Sequence, residues 1–283
     1  MRCLTALAIA LLLAGNAMAQ GFTLDFGKLI DIGKKATQLQ PMDSAQEAEL
    51  GAGVASNLLG AAPLVNDPDL QRYVNRVGLW LALQTERSDV TWRFGVLETT
   101  DLNAFATPGG YVFVTRGLLS IIRTEAELAG VLAHEIAHVL QKHHLNAIQK
   151  NAAAGIGADA LGIFLDQKAS GLKREALGRL VGTGTELYAR GLDRDDELEA
   201  DRMGVVIAAR AGYDPYGLAA VLQRLDAVNP DAGPMALMFK THPKPADRLQ
   251  ALERILAPGL EPYSAQPAVA ERFLGEAART ARP

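Results

Sequence analysis

Apolar residues recur along this chain with two different periods, and the switch between them separates helices from a small set of strands. Leu70, Tyr73, Val74, Val77 and Leu81 repeat at three- and four-residue steps, the spacing of one helix face, with Asp67 as cap and Pro68 at the first helical position. Upstream, Ser44 with Glu47 three residues later predicts a capping box that opens a helix running to about Gly60. The period then drops to two. Val90, Trp92, Phe94 and Val96 alternate with Thr91, Arg93 and Gly95, which predicts a strand buried on one face. A hairpin is expected next, because residues 103–106 and 111–115 flank Thr107-Pro108-Gly109-Gly110, a run built from residues that preset or permit turn geometry. From Thr124 the helical period returns: Thr124 and Glu127 form a second capping box, and Leu128, Leu132, Ile136 and Val139 stay on one face.

Residues 147–192 alternate alanine and glycine clusters with amphipathic stretches, a pattern of helices joined by turns. Residues 152–165 are the most apolar part, yet they are too few to span a bilayer and include Asp159. Packed helices are the simplest reading; a membrane-surface contact or a lid is the alternative. Further helices are expected over 193–210, 216–228 and 245–256, with a turn at Gly212-Tyr213-Asp214-Pro215, a loop at 229–234 and a peripheral proline-containing tail. No repeat at solenoid periods is present. The expected architecture is α+β and mainly helical: a main domain over 43–256, preceded by an arm over 20–42 and followed by a tail over 257–283.

Residues 1–19 read as a secretory signal. Arg2 supplies the positive start, residues 4–14 an apolar run without charge, and Ala17-Met18-Ala19 a small-x-small cleavage site, so the mature chain is expected to begin at Gln20. Cys3 is the single cysteine and precedes the apolar run, where it cannot become a lipidated N-terminus. With the signal removed no thiol is left, which excludes disulfides and cysteine nucleophiles and leaves stability to the apolar core. The charge balance is mildly acidic, 28 basic against 32 acidic residues, without long runs of one sign. Nucleic acid is therefore not an expected partner.

The helix that starts at Thr124 carries His134-Glu135-Ile136-Ala137-His138, an H-E-x-x-H motif. The i, i+4 spacing puts both imidazoles on one face, one turn apart, where they can grip a single zinc ion with Glu135 beside them. Zinc lowers the pKa of bound water to about 7, and a neighbouring carboxylate can take its proton as it attacks a carbonyl. A catalytic zinc needs a third protein ligand. Glu197, in Asp196-Glu197-Leu198-Glu199-Ala200-Asp201, shares a helix face with Asp201, which can orient a ligating histidine, while Glu199 points elsewhere. The competing reading of this acidic run is a solvated helix face.

H-E-x-x-H followed by E-x-x-x-D, with Asn103-Ala104-Phe105-Ala106 and residues 108–117 upstream, resembles the HtpX-like and CAAX-prenyl-protease-like gluzincin metallopeptidases over about residues 44–256. Within that group the chain is similar to the soluble periplasmic BepA-like and LoiP-like members, since the transmembrane helices of the HtpX type are missing. It lacks both the tetratricopeptide extension of the former and the lipid-attachment cysteine of the latter. The resemblance implies a zincin-type domain with one zinc on His134, His138 and Glu197, Glu135 as general base and Asp201 as supporting acid. It also gives the hairpin a role: Asn103, Ala104, Phe105 and Ala106 form an edge to which an extended substrate can add as a strand. An ordinary hairpin packed on the active helix is the other reading. His242, in Thr241-His242-Pro243, and Arg248 resemble the cleft-facing histidine and arginine of the family. Either can stabilise the oxyanion; His242 can instead fill the open zinc position and hold the enzyme latent, or stand uninvolved in a loop. His143 and His144 read as exposed helix residues and are not assigned to the metal.

The implied function is peptide-bond hydrolysis in damaged or misassembled envelope proteins, in the periplasm, with possible peripheral contact to the membrane or the outer-membrane assembly machinery. The alternative is a chaperone-like binding module that uses a blocked metallopeptidase cleft without turnover.

Overall fold

The computed structural model describes residues 42–154, 158–166, 172–227 and 242–280. The expected signal, nearly all of the arm, the loop over 229–234 and Thr241 lie outside the described residues. The fold is α+β and mainly helical, with one three-stranded sheet.

Helix α1 (Ser44–Ala61) is capped one residue earlier than expected. The Asp43 carboxylate accepts from the Gln46 backbone N–H at 2.8 Å, and the Gln46 side chain accepts from the Asp43 N–H. Glu47 is instead drawn inward, where Lys142 Nζ meets its Oε2 at 2.9 Å. Helix α2 (Pro68–Ala82) is capped by Asp67, and the five residues of its predicted stripe are all buried.

Strand β1 (Arg93–Leu97) is shorter than the alternation suggests and is buried on both faces. One edge pairs in parallel with β3, and the other is covered by side-chain amides of α2. Asn75 Oδ1 accepts from Phe94 N–H at 3.0 Å, and Gln71 Oε1 accepts from Val96 N–H at 2.9 Å, so an edge that would otherwise invite aggregation is satisfied by a helix. Val90 and Trp92 lie outside the strand, and the Trp92 ring stacks on Phe94. Strands β2 (Ala104–Thr107) and β3 (Tyr111–Thr115) form the predicted antiparallel hairpin, giving the order β1-β3-β2. At its turn Gly109 has φ +75°, and a Cβ there would stand 2.7 Å from the Ala48 Cα, so both backbone angle and space require glycine.

A short helix α3 (Arg116–Ile121) leads to α4 (Glu125–Leu140), the centre of the molecule. The Thr124 hydroxyl accepts from Glu127 N–H at 3.1 Å as expected. The return bond from Glu127 goes to the Arg123 N–H, because Arg224 pairs with the same carboxylate. Every residue from Glu125 through Val139 is buried, so the amphipathic stripe continues into a helix covered on all sides.

Helices α5 (His143–Ala154), α6 (Ala158–Leu165) and α7 (Lys173–Arg190) pack together through Ile148, Leu161, Phe164 and Leu180. Among the described residues no helix is long and apolar enough to cross a membrane. Helices α8 (Arg194–Arg210) and α9 (Gly217–Asp226) both cross α4, and α10 (Pro245–Leu260) packs on both of them. The α8 crossing is close: a Cβ on Gly204 would stand 2.8 Å from the backbone N of His134 and 2.9 Å from its Cα.

The tail is not peripheral. It contains helix α11 (Ala270–Thr280), whose Phe273 is buried in the main core and whose Arg272 pairs with Glu125 at the start of α4. Only two large apolar residues, Phe273 and Leu274, stand in this helix, too few to draw a periodic stripe.

Candidate metal centre

Helix α4 presents His134 and His138 on one face, with their Nε2 atoms 3.1 Å apart and their rings nearly perpendicular. The approach permitted by Gly204 brings Glu197 of α8 opposite them: Oε1 lies 3.5 Å from His138 Nε2, and Oε2 lies 3.7 Å from His134 Nε2. All three side chains are buried, Glu197 at 0% exposure. The acidic run is thus no solvated face at this position.

The remaining atoms of each group are tied down. His134 Nδ1 faces Asp201 Oδ1 at 2.9 Å, and Arg248 of α10 grips that carboxylate with Nε at 2.9 Å and Nη2 at 2.5 Å. The Asp201 carboxylate accepts from His134 Nδ1–H, which leaves the Nε2 lone pair directed inward. Burial alone would push the Asp201 carboxyl upward, but the guanidinium and His134 hold it well below the usual range. His242 Nδ1 lies 2.7 Å from Glu197 Oε2. Burial raises the Glu197 carboxyl too, and His242, His134 and Arg248 outweigh it, bringing it to about 2. Glu135 is buried beside them, and burial pushes its carboxyl up against the opposing pull of His134 and His242.

These donors fit a metal ion on two grounds. Glu197 Oε1 is buried with no hydrogen-bond partner among the described residues, although it points at a ring nitrogen. The Nε2 atoms of His134 and His138 also stand 3.1 Å apart, within reach of one ion. Donors bound to one tetrahedral zinc at about 2.0–2.1 Å stand about 3.3–3.4 Å apart, close to the separations of His134, His138 and Glu197. His134, Glu197 and His242 also offer atoms within 4.8 Å of one another, so His242 stands where a further ligand can approach.

Asn103, Ala104, Leu118, Val131 and Leu222 line a small pocket together with His134, Glu135, His242 and Arg248. Strand β2 is one of the two outer strands of the sheet and packs on α4. On its outward edge Ala104 N–H donates to Asn103 Oδ1 at 2.9 Å, and the Ala106 carbonyl accepts from the Tyr188 hydroxyl. Asn103 Nδ2 is buried and has no partner among the described residues.

The structure therefore brings His134, Glu135, His138, Glu197, Asp201, His242 and Arg248 around one point, with Asn103 and Ala104 at its border; Phe105 and Ala106 follow along β2, where Tyr188 meets both. Two neighbours that the sequence presents as exposed helix residues stand against the site instead. His143 is buried, with Nδ1 3.0 Å from His138 Nδ1, and His144 stacks on Tyr188 with ring centroids 4.6 Å apart at 9°. Helical projection misses them because α4 stops at Leu140 and Lys142 takes φ +56°, which turns the chain back toward the site. One signal was available: the chain has five histidines, and all five meet here.

The sequence pattern of peptidase family M48 matches residues 68–256. The chain belongs to peptidase family M48. Its relatives include the β-barrel assembly-enhancing protease of Escherichia coli K12, 33% identical over 251 residues, covering 87% of this chain and 50% of that protein. A putative β-barrel assembly-enhancing protease of Vibrio cholerae is 32% identical over 259 residues, 88% of this chain and 53% of the relative. The mitochondrial metalloendopeptidase OMA1 of Schizosaccharomyces pombe is 31% identical over 184 residues, 65% of this chain and 52% of the relative. The chain spans about half the length of these M48 relatives.

Proposed function

We propose that this M48 chain is a zinc-dependent metalloendopeptidase, with His134, His138 and Glu197 as the protein ligands of one zinc ion. The observation that carries this reading is the meeting of two Nε2 atoms and an unpartnered buried carboxylate oxygen beside Glu135. A bound zinc supplies Lewis acidity toward a carbonyl and lowers the pKa of its water. Glu135 takes the proton of the attacking water and hands it to the leaving amine, a task suited to a carboxyl raised by burial. Asp201 and Arg248 act behind His134 and hold its ring. Asn103 Nδ2 donates to a substrate backbone carbonyl, and Ala104 to Ala106 receive the extended peptide along the edge of β2. His242 faces the cleft, where its ring can stabilise the developing oxyanion once it leaves Glu197.

The substrates in this reading are unfolded or misassembled envelope proteins, reached in the periplasm after cleavage of the signal at Ala19. The bacterial relatives take their name from the enhancement of β-barrel assembly, which supports this choice and a contact with outer-membrane assembly machinery. The contact of His242 with Glu197 favours a second reading, a latent cleft that binds clients without cleaving them.

The experiment is zinc analysis and casein cleavage with the purified mature chain, Glu135→Gln and Glu197→Ala. Wild type should carry about one zinc per chain and cleave, Glu135→Gln should keep zinc and lose cleavage, and Glu197→Ala should bind zinc poorly. Zinc without cleavage in wild type supports the latent reading. Absence of zinc from wild type refutes the proposed site.

A further inference from the structure

The two histidines of α4 are held from behind in different ways. His134 has a carboxylate at Nδ1, itself locked by an arginine. Among the described residues no carboxylate meets that atom of His138: its Nδ1 faces Nδ1 of His143 at 3.0 Å, and both rings are buried. On its far side, His143 Nε2 lies 3.7 Å from Asp196 Oδ1 and 3.6 Å from Glu199 Oε2. Both carboxylates belong to α8 and flank Glu197 in sequence, so one helix gives its buried acid to the centre and its two more exposed acids to the imidazole behind.

We propose that His143 is a positioning residue for His138: it accepts the His138 Nδ1–H, fixes the tautomer and ring plane that aim the Nε2 lone pair at the metal, and passes polarity on to Asp196 and Glu199. The proposal rests on the zinc site described above. If the Nδ1–Nδ1 bond ran the other way, His138 would carry its proton on Nε2, 3.1 Å from His134 Nε2, and could not ligate a metal. Metal binding therefore selects the direction in which His138 donates. His143 must then carry its own proton on Nε2, the atom that faces Asp196 at 3.7 Å and Glu199 at 3.6 Å. The chain reversal at Lys142 is what allows a residue five positions beyond His138 to reach behind it.

The test uses the full mature chain and zinc itself. Affinity is measured by chelator competition for wild type, His143→Leu, His143→Asn and the pair Asp196→Asn with Glu199→Gln; cobalt-substituted spectra follow the ligand field. Leucine fills the space without accepting a proton, whereas the asparagine oxygen falls near the place of Nδ1 and accepts it. His143→Leu should bind zinc about 10–100-fold more weakly and shift the cobalt bands, and His143→Asn should recover most of both. The Asp196/Glu199 variant alters partly exposed carboxylates away from the fold's interior and should lose affinity by a smaller factor, about threefold to tenfold. Wild-type affinity in His143→Leu, or equal losses in the leucine and asparagine variants, would overturn the proposal and make His143 a packing residue. If wild type binds no zinc, the metal-site reading fails and this inference with it.

Discussion

At Asn103 the two ends of one amide have different duties. Oδ1 accepts from Ala104 N–H at 2.9 Å and holds the start of β2, while Nδ2 is buried at the border of the cleft without a partner among the described residues. A buried donor left without an acceptor costs about 1–3 kcal/mol, a cost that a substrate carbonyl arriving at the edge removes. Asn103→Asp separates the duties, since it keeps an acceptor for Ala104 and replaces the donor with oxygen. We expect kcat/KM for an unfolded substrate to fall at least about tenfold, the equivalent of one hydrogen bond of about 1.4 kcal/mol, with zinc content unchanged. Peptidase kinetics beside metal analysis check this; unchanged kcat/KM would remove Asn103 from substrate binding. The residue's place at the cleft border followed from a family pattern. Its orphaned amide did not, because hydrogen-bond satisfaction depends on neighbours that are remote in sequence.

At the scale of elements, the crossing of α4 and α8 makes the centre. Gly204 lies two turns beyond Glu197 and lets the backbone of α8 approach that of His134. In Gly204→Ala the added methyl meets backbone atoms at under 3.0 Å and forces the helices apart. The expected result is a loss of about 1–3 kcal/mol in urea unfolding of the metal-free chain and a drop in zinc affinity, as Glu197 withdraws from the two imidazoles. A variant equal to wild type in both would show that the close approach has no bearing on the centre.

The elements legible in the sequence were those with local signals. Asp67 and Pro68 opened α2, a glycine-rich turn opened the hairpin, and Thr124 opened α4. Close helix crossings leave weaker traces, since Gly204 in a helix looks like a mere weakening of it. The one-residue shift of the α1 cap has a similar origin. Both Asp43 and Ser44 can cap, and Glu47 is claimed by Lys142 from a distant part of the chain. His143 stayed hidden for a geometric reason: a left-handed residue at Lys142 resets the helical phase on which projection depends.

For the molecule as a whole, Glu125 ties the parts around the active helix together. Its carboxylate, at 1% exposure, accepts from the hydroxyl of Tyr73 on α2 at 2.8 Å and from that of Tyr213 in the turn after α8 at 2.8 Å. Arg272 of α11 donates to it through Nε at 2.5 Å and through Nη2. It also stands in the first turn of α4, where the helix dipole favours a negative charge. Burial would raise this carboxyl, but the bonds from Arg272, Tyr213 and Tyr73 outweigh it, and its pKa lies below the ordinary 4.5. A carboxyl depressed in the folded state binds fewer protons there than in the unfolded chain. Its contribution to stability is therefore complete above the unfolded value and is lost as pH falls from there through the folded one. The two phenols have the opposite sign. Burial and the Glu125 charge raise Tyr73 and Tyr213 above 10, so their contribution is complete below that value and is lost only as pH rises through the folded values. The cluster thus holds from about pH 5 to about pH 10. Glu125→Gln keeps an acceptor but removes the charge, and should cost about 1–3 kcal/mol at pH 7. Urea unfolding of the metal-free chain from pH 7 to pH 3 should show the gap between wild type and variant narrowing below about pH 4.5, where the carboxyl of the unfolded chain takes up a proton that the folded one still refuses. A gap constant over that range would mean that shape rather than charge holds the junction, leaving Phe273 and the backbone bond from Ala126 N–H to the Ala268 carbonyl to anchor the start of α4.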